Sequence, residues 1–321
     1  MKNFLGMMLA VVRSRQQAGR PPARDVLLAF VADEENGGRY GAQWLCRNAK
    51  DRFDGCTEAI GEVGGYSVTL PTGRRLYLVE TAQKGIAWYR VTAAGVAGHA
   101  SMLNQQNSVI DLAEAIARVG RHRFPVRLTP TVQTFLAELA AELGLPGDLD
   151  DPAALLSGLG PLHRIIGATL RNTATPTRLS AGNKTNVIPS RASADIDCRY
   201  LPGFEEEFLA ELGELLGPGL TMETLHHDIA VETPFHGPLV EAMRGSVAAV
   251  DPAGRIVPYL LPAGTDAKHF SRLGIACFGF VPLRLPAAFD FPAAFHGVDE
   301  RVPVDALRFG ALVLDRFFDM C

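Results

Sequence analysis

Three consecutive acids, Asp33, Glu34 and Glu35, stand between an apolar run over residues 26–32 and the glycines Gly37 and Gly38. Adjacent carboxylates repel one another, so a folded chain accepts them at a solvated corner, at a helix N-terminus, or beside a cation. The glycines let the backbone turn sharply close to a ligand. Related groups stand at other loop-like positions: Glu62 in AIGEVGG, His296 in FHGVDERVP, and His99 among small residues in GVAGHAS. Each alone has an ordinary reading as a turn residue, a surface imidazole or a strand-end histidine. Together, Glu34, Glu35, Glu62 and His296 offer carboxylates and an imidazole from three loops, which is the ligand chemistry of zinc and similar ions. Adjacent glutamates can divide the two roles a hydrolytic metal site needs, one holding the ion and the other taking a proton from its water.

The elements that must position these groups follow from the hydrophobic pattern. Residues 26–32 read as a strand running into the acids, followed by a helix over 40–50 and a short extended segment over 56–65. Alternation at this pitch predicts an α/β fold with a mostly parallel, helix-covered sheet, in which ligands sit beyond the carboxyl ends of the strands. Both acidic groups fall near such ends. From residue 84 the texture changes: KGIAWYRVTAAG alternates like an antiparallel strand, 107–119 reads as a helix, 177–203 holds two more strands, and 204–217 is an amphipathic helix. This block reads as an inserted α+β domain. Within it, Asp148, Asp150 and Asp151 read as a solvated loop. His226 and His227 adjoin and cannot both face one site from a strand. Residues from 238 onward return to strand and helix of the first kind, with His269 behind the GTDA loop.

The bulk composition narrows the function classes. A chain of 321 residues that is 47% hydrophobic has material for two cores. A net charge of −4 from 31 basic and 35 acidic residues, with no long run of either sign, gives no footprint for nucleic acid and no polybasic membrane patch. The partner is a small molecule. Cys46, Cys56, Cys198, Cys277 and Cys321 show no CxxC spacing, so neither a disulfide framework nor a thiolate zinc site is indicated, and a reducing cytoplasm fits. Residues 1–19 read as an amphipathic helix with Phe4, Leu5, Met8, Leu9 and Val12 mostly on one face, and not as a secretory signal. No run reaches the length of a membrane span.

In their order, FVADEENGGRYGAQWL, GEVGG, GVAGHAS, NKTNVIPSRASADIDCRYLPG, LPAGTDAKHFSRLGIACFGFVPL and FHGVDERVPVDAL resemble the M20 family of metallopeptidases. That family includes aminoacylases, carboxypeptidases, acetylornithine deacetylase and succinyl-diaminopimelate desuccinylase. The resemblance implies a zinc-peptidase-like catalytic domain over 1–83 and 232–321, interrupted by a lid and dimerisation domain over 84–231. It implies two zinc ions, with cobalt or manganese as alternatives, and hydrolysis of an amide bond in an N-acyl amino acid or small peptide with a free carboxylate.

Residue by residue, the resemblance makes Glu34 the general base and Glu35 a ligand of one metal, paired with His296. It makes Glu62 a ligand of the other metal. His99 resembles the lid histidine that reaches the partner subunit's site in a homodimer and steadies the oxyanion. Asn186 and Arg199 resemble the residues that hold the substrate carboxylate, and Gly264 and Thr265 the loop lining the pocket. On residues alone, Arg199 reads as a strand-end arginine paired with Asp195 or Asp197. The family pattern also has an upstream His-x-Asp and a bridging aspartate immediately before a Met-Lys pair; this chain opens with MKNF. The resemblance therefore implies a start one residue past the bridging ligand, too few donors for two tightly held metals, and an exposed sheet edge. A competing reading is a catalytically impaired, truncated homologue that dimerises or binds.

Overall fold

The computed structural model describes residues 1–145, 152, 156 and 163–321, so Asp148, Asp150 and Asp151 lie outside the described residues. The amphipathic N-terminal pattern becomes helix α1 (Lys2–Gln17), which buries Met7, Met8 and Val11. Its Arg15 is buried too, donating to Asp315 and Asp319 of the C-terminal helix. The following segment departs from expectation. Residues 26–32 form no strand, and Val26, Leu27, Leu28 and Phe30 are exposed. β-Propensity alone does not make a strand: a ladder needs a neighbour to exchange hydrogen bonds, and here a cavity of about 790 Å³ lies between this segment and residues 56–62.

The main sheet is assembled around one strand. After α2 (Ala42–Asn48) come β1 (Glu58–Gly61), β2 (Tyr66–Thr69) and β3 (Arg75–Gln83). The unbroken apolar run LYLV in β3 is buried from Leu76 onward, as a strand covered on both faces requires. The chain then passes into β4 (Gly85–Ala94), β5 (Gly98–His99), α3 (Ser108–Arg121) and α4 (Pro130–Leu143). Next are β6 (Thr173–Ala181), β7 (Val187–Ile188), β8 (Arg191–Tyr200), α5 (Glu205–Leu216) and β9 (Leu220–Asp228). It returns through β10 (Val231–Glu232), α6 (Pro238–Val250), β11 (Gly254–Leu261), α7 (Ala267–Phe270), β12 (Ala276–Gly279) and α8 (Val304–Met320).

β3 pairs in parallel with β11 from Arg75↔Gly254 to Gln83↔Leu261, while β1 pairs in parallel with β12. β2, β10 and β12 meet β3 antiparallel, so the six-stranded sheet is mixed. Met243 and Val247 of α6 and Phe309, Val313 and Phe317 of α8 belong to its core. The second sheet, in the order β6-β8-β4-β9, is antiparallel and packs its inward residues Ala87, Tyr89, Val91, Ala194 and Ile196 with Leu112 of α3 and Phe208 of α5. Helix α4 lies within the inserted span, yet its Val132, Phe135, Leu136 and Leu139 join the core of the main sheet.

The chain crosses between the sheets twice, and the crossings are neighbours. Val231 pairs with Gln83 on the main-sheet side, and Asp228 with Ile86 on the other.

Candidate active site

The acids of the first loop sit in a single 3-10 turn, Glu34–Asn36, framed by Asp33 at φ 71° and Gly37 at φ 88°. The Asp33 carboxylate accepts from the Tyr40 amide at 2.9 Å, and its carbonyl accepts from the amides of Asn36 and Gly38. Gly38 is required here: its φ is 68°, and an added Cβ would lie 2.5 Å from the Asp266 carboxylate. His269, buried in α7, lies 3.0 Å through Nε2 from the Gly37 carbonyl, so α7 holds the acidic turn from behind.

Glu62 directly follows β1, and Thr265 and Asp266 follow β11. These positions lie beyond the carboxyl ends of strands, where the α/β pattern places ligands. After Glu62 the backbone makes three successive left-handed residues, Val63 at φ 63°, Gly64 at 82° and Gly65 at 75°. Among the described residues, the non-glycine positions with positive φ are Asp33, Val63 and His296. For β-branched Val63 this is a strained conformation, which persists only where the surroundings impose it.

The electrostatics of the group share one sign. Burial, then Asp266 and Glu35, raises the Glu34 carboxyl above its ordinary value. Burial and Glu34 push Glu62 up to about 7, and burial with Glu62 pushes Glu80 of β3 to about 8. Asp266 rises to about 6, chiefly through burial, and its Oδ1 is buried without a hydrogen-bond partner. Burial lowers His269, keeping its imidazole neutral as a support for the turn. The site gathers carboxylates faster than it supplies positive charge.

That arrangement bears directly on a metal. Glu35 and His296 are brought together, Oε1 to Nε2 at 3.6 Å, with their side chains 75% and 80% exposed. Catalytic zinc takes three protein donors, whereas no group of three or more His, Cys, Asp or Glu is arranged to hold an ion among the described residues. The donors that meet form part of a coordination shell and do not complete one.

The remaining expected residues lie toward the second sheet. His99 and Asn186 are joined through the β5–β7 ladder, where His99 pairs with Val187 and the Ala100 amide donates to the Asn186 carbonyl at 3.0 Å. His99 Nδ1 lies 2.8 Å from the Ser101 hydroxyl. Arg199 engages the Asp197 carboxylate with Nε at 2.6 Å and Nη2 at 2.9 Å, the pairing its residue type alone suggested. Among the described residues, no hydrogen bond or ion pair joins His99, Asn186 or Arg199 to Glu34 or Glu35. Thr265 is buried, its amide donating to Gln83 Oε1 at 2.5 Å, and a Cβ on Gly264 would lie 3.2 Å from Ile86 of β4. This loop therefore sits at the junction of the sheets.

Four further groups stand out in the fold. Glu80 is an acid in the middle of a buried apolar run, a signal available in LYLVETAQ. Asp266 stands inside the GTDA loop already singled out. Lys268 and Asp228 form a buried ion pair at 2.7 Å, which pattern alone does not reveal because their segments are far apart in sequence.

Acidic loops at the ends of a helix-covered mixed sheet, joined to an antiparallel α+β unit, define a two-sheet α/β protein with an acidic site. Residues 1–319 match Peptidase family M20/M25/M40, and the chain belongs to that family. It is 25% identical over 329 residues to the probable carboxypeptidase S-like 2 of Dictyostelium discoideum, covering 93% of this chain and 60% of that protein. It is 26% identical over 304 residues to the N-fatty-acyl-amino acid synthase/hydrolase PM20D1 of Homo sapiens, covering 89% and 59%. The chain thus spans about three fifths of the length of these relatives. Its fold matches the M20 family metallo-carboxypeptidase Sso-CP2 from Sulfolobus solfataricus with a TM-score of 0.63 at 16% identity, covering 99% of this chain and 75% of that one. No helix among the described residues is long and apolar enough to cross a membrane.

Proposed function

We propose that this chain carries the site of an amidohydrolase acting on an N-acyl amino acid or small peptide with a free carboxylate. The observation that carries the reading is the concentration of strained backbone: Asp33, Val63 and His296 lie beside or within the groups assigned to the site. In this reading 1–83 and 232–321 form the catalytic unit, and 84–231 forms a lid through which two copies pair.

Glu34 takes a proton from the attacking water and returns it to the leaving amine. Its raised proton affinity suits that exchange, because a base works best with a pKa near the working pH. Arg199 binds the substrate carboxylate through its planar fork, which requires release of Asp197, and Asn186 adds a donor. His99, reaching the site of a second copy, donates to the developing oxyanion. Glu35, Glu62 and His296 would serve zinc, cobalt or manganese, and the donors brought together do not complete a shell. The five free thiols fit a cytoplasmic setting.

The test is amine release from N-acetyl-L-methionine and from dipeptides, with zinc or cobalt added. Release by the native chain, reduced by on the order of 10²-fold or more in Glu34→Gln, is expected. No release at saturating metal, or equal rates for the two proteins, overturns the reading.

A further inference from the structure

Two adjacent strand crossings make a ribbon, and a ribbon by itself leaves the angle between two domains free to vary by hinge motion. The main-sheet unit reaches across this ribbon with a buried charge. Lys268 of α7 places Nζ 2.7 Å from Oδ2 of Asp228, the last residue of β9, and the two side chains are 6% and 5% exposed. Burying an ion pair contributes little net stability but fixes geometry strictly, because separating the partners strands a charge away from water.

The pair lies in the middle of a continuous path. On one side, His226 Nε2 lies 2.9 Å from the same Asp228 oxygen, and its ring lies against Trp88 with centroids 4.8 Å apart. Trp88 Nε1 donates to Asp197 at 2.9 Å, and Asp197 holds the Arg199 guanidinium. On the other side, His269 follows Lys268 and meets the Gly37 carbonyl of the turn that carries Glu34 and Glu35.

We propose that Lys268 and Asp228 form a latch that sets the angle of the second sheet on the main one, and that His226, Trp88 and Asp197 carry this setting to Arg199. Lys268 and Asp228 are then positioning residues for the substrate carboxylate, a step that rests on the reading of Arg199 given above. The latch itself does not depend on that reading.

The experiment measures the distance between probes at Leu179 in β6 and Arg308 in α8, both exposed, by pulsed electron paramagnetic resonance. The probes are carried on noncanonical amino acids so that the native thiols stay untouched. The native chain is expected to give one narrow distribution. Lys268→Met and Asp228→Asn are expected to lose the narrow peak while keeping a cooperative melt, and Lys268→Arg is expected to retain it. If Asp228→Asn fails to fold, the contrast between Lys268→Met and Lys268→Arg decides. A native distribution in folded Lys268→Met overturns the latch. Binding of N-acetyl-L-methionine, measured in parallel, separates the two readings: a displaced distribution with affinity unmoved by Arg199→Ala keeps the latch and removes the assignment of Arg199.

Discussion

Glu35 and His296, from opposite ends of the chain, meet with Oε1 and Nε2 3.6 Å apart, and both side chains open to solvent. The pair presents one carboxylate oxygen and one imidazole nitrogen to the same point, which suits a borderline divalent ion better than a hard one. Titration calorimetry with zinc is expected to show binding that falls by on the order of tenfold or more in His296→Ala, since even supporting residues at metal sites carry 10–100-fold effects. Unchanged zinc affinity in that variant would remove His296 from the ligand set.

Glu62 makes stability depend on pH in a defined direction. Its folded pKa of about 7 lies above the ordinary carboxyl value of 4.5, so the fold favours the protonated form. Its contribution is full below pH 4.5 and is lost as pH rises through 7. Glu62→Gln, which stays neutral, is therefore expected to match the native chain at pH 4.5 and to exceed it by as much as about 3 kcal/mol at pH 8. Urea midpoints at the two pH values check this; a difference that does not grow with pH would refute it.

Val63 sits at φ 63°, where a β-branched side chain is crowded against its own backbone. Replacing valine by glycine usually destabilises. Here Val63→Gly is expected to cost less than about 1 kcal/mol, because the strain released offsets the packing its side chain loses against the core and the entropy glycine adds to the unfolded chain. Gly64→Ala should cost more, since its added Cβ would lie 2.7 Å from the Glu80 amide nitrogen. Denaturant melts of both variants decide whether the loop is strained.

The Lys268–Asp228 pair gives a further stability prediction. Removing one partner of a buried pair leaves the other charged and unsolvated, at a cost of about 3–5 kcal/mol. Lys268→Met should lose that much, and the double replacement Lys268→Met with Asp228→Leu should recover most of it. Equal losses in the single and double variants would show that packing, and not charge, holds the junction.

Much of this architecture was legible before the fold. The alternation in KGIAWYRVTAAG became β4, the acids and leucines of 204–217 became α5, and the order of six motifs carried the family. What the pattern missed has physical causes. Residues 26–32 carry strand composition but lack a ladder neighbour, and ladder bonds, not composition, make a strand. Helix α4 interrupts the inserted span yet packs on the main core, because an apolar helix face goes where buried area is available and not where sequence order suggests. The family resemblance names Glu35 and His296 together and the fold brings them within 3.6 Å, whereas Lys268 and Asp228 required the fold: a buried charge finds its partner in space, and neither segment announces the other.

The adjacency of the two crossings has a consequence for the gene as well as the protein. Because Gln83 and Val231 already pair as neighbours, the stretch between them could be excised and the ends rejoined by a short turn without rerouting the main sheet. The inserted piece is in this sense transplantable except where it joins the main core: α4 would have to stay behind with Phe135, Leu136 and Leu139, and so would Ile166, Leu170 and Leu201, which wall the same core. A module that leaves part of itself in its host can be exchanged only for another that supplies the same wall.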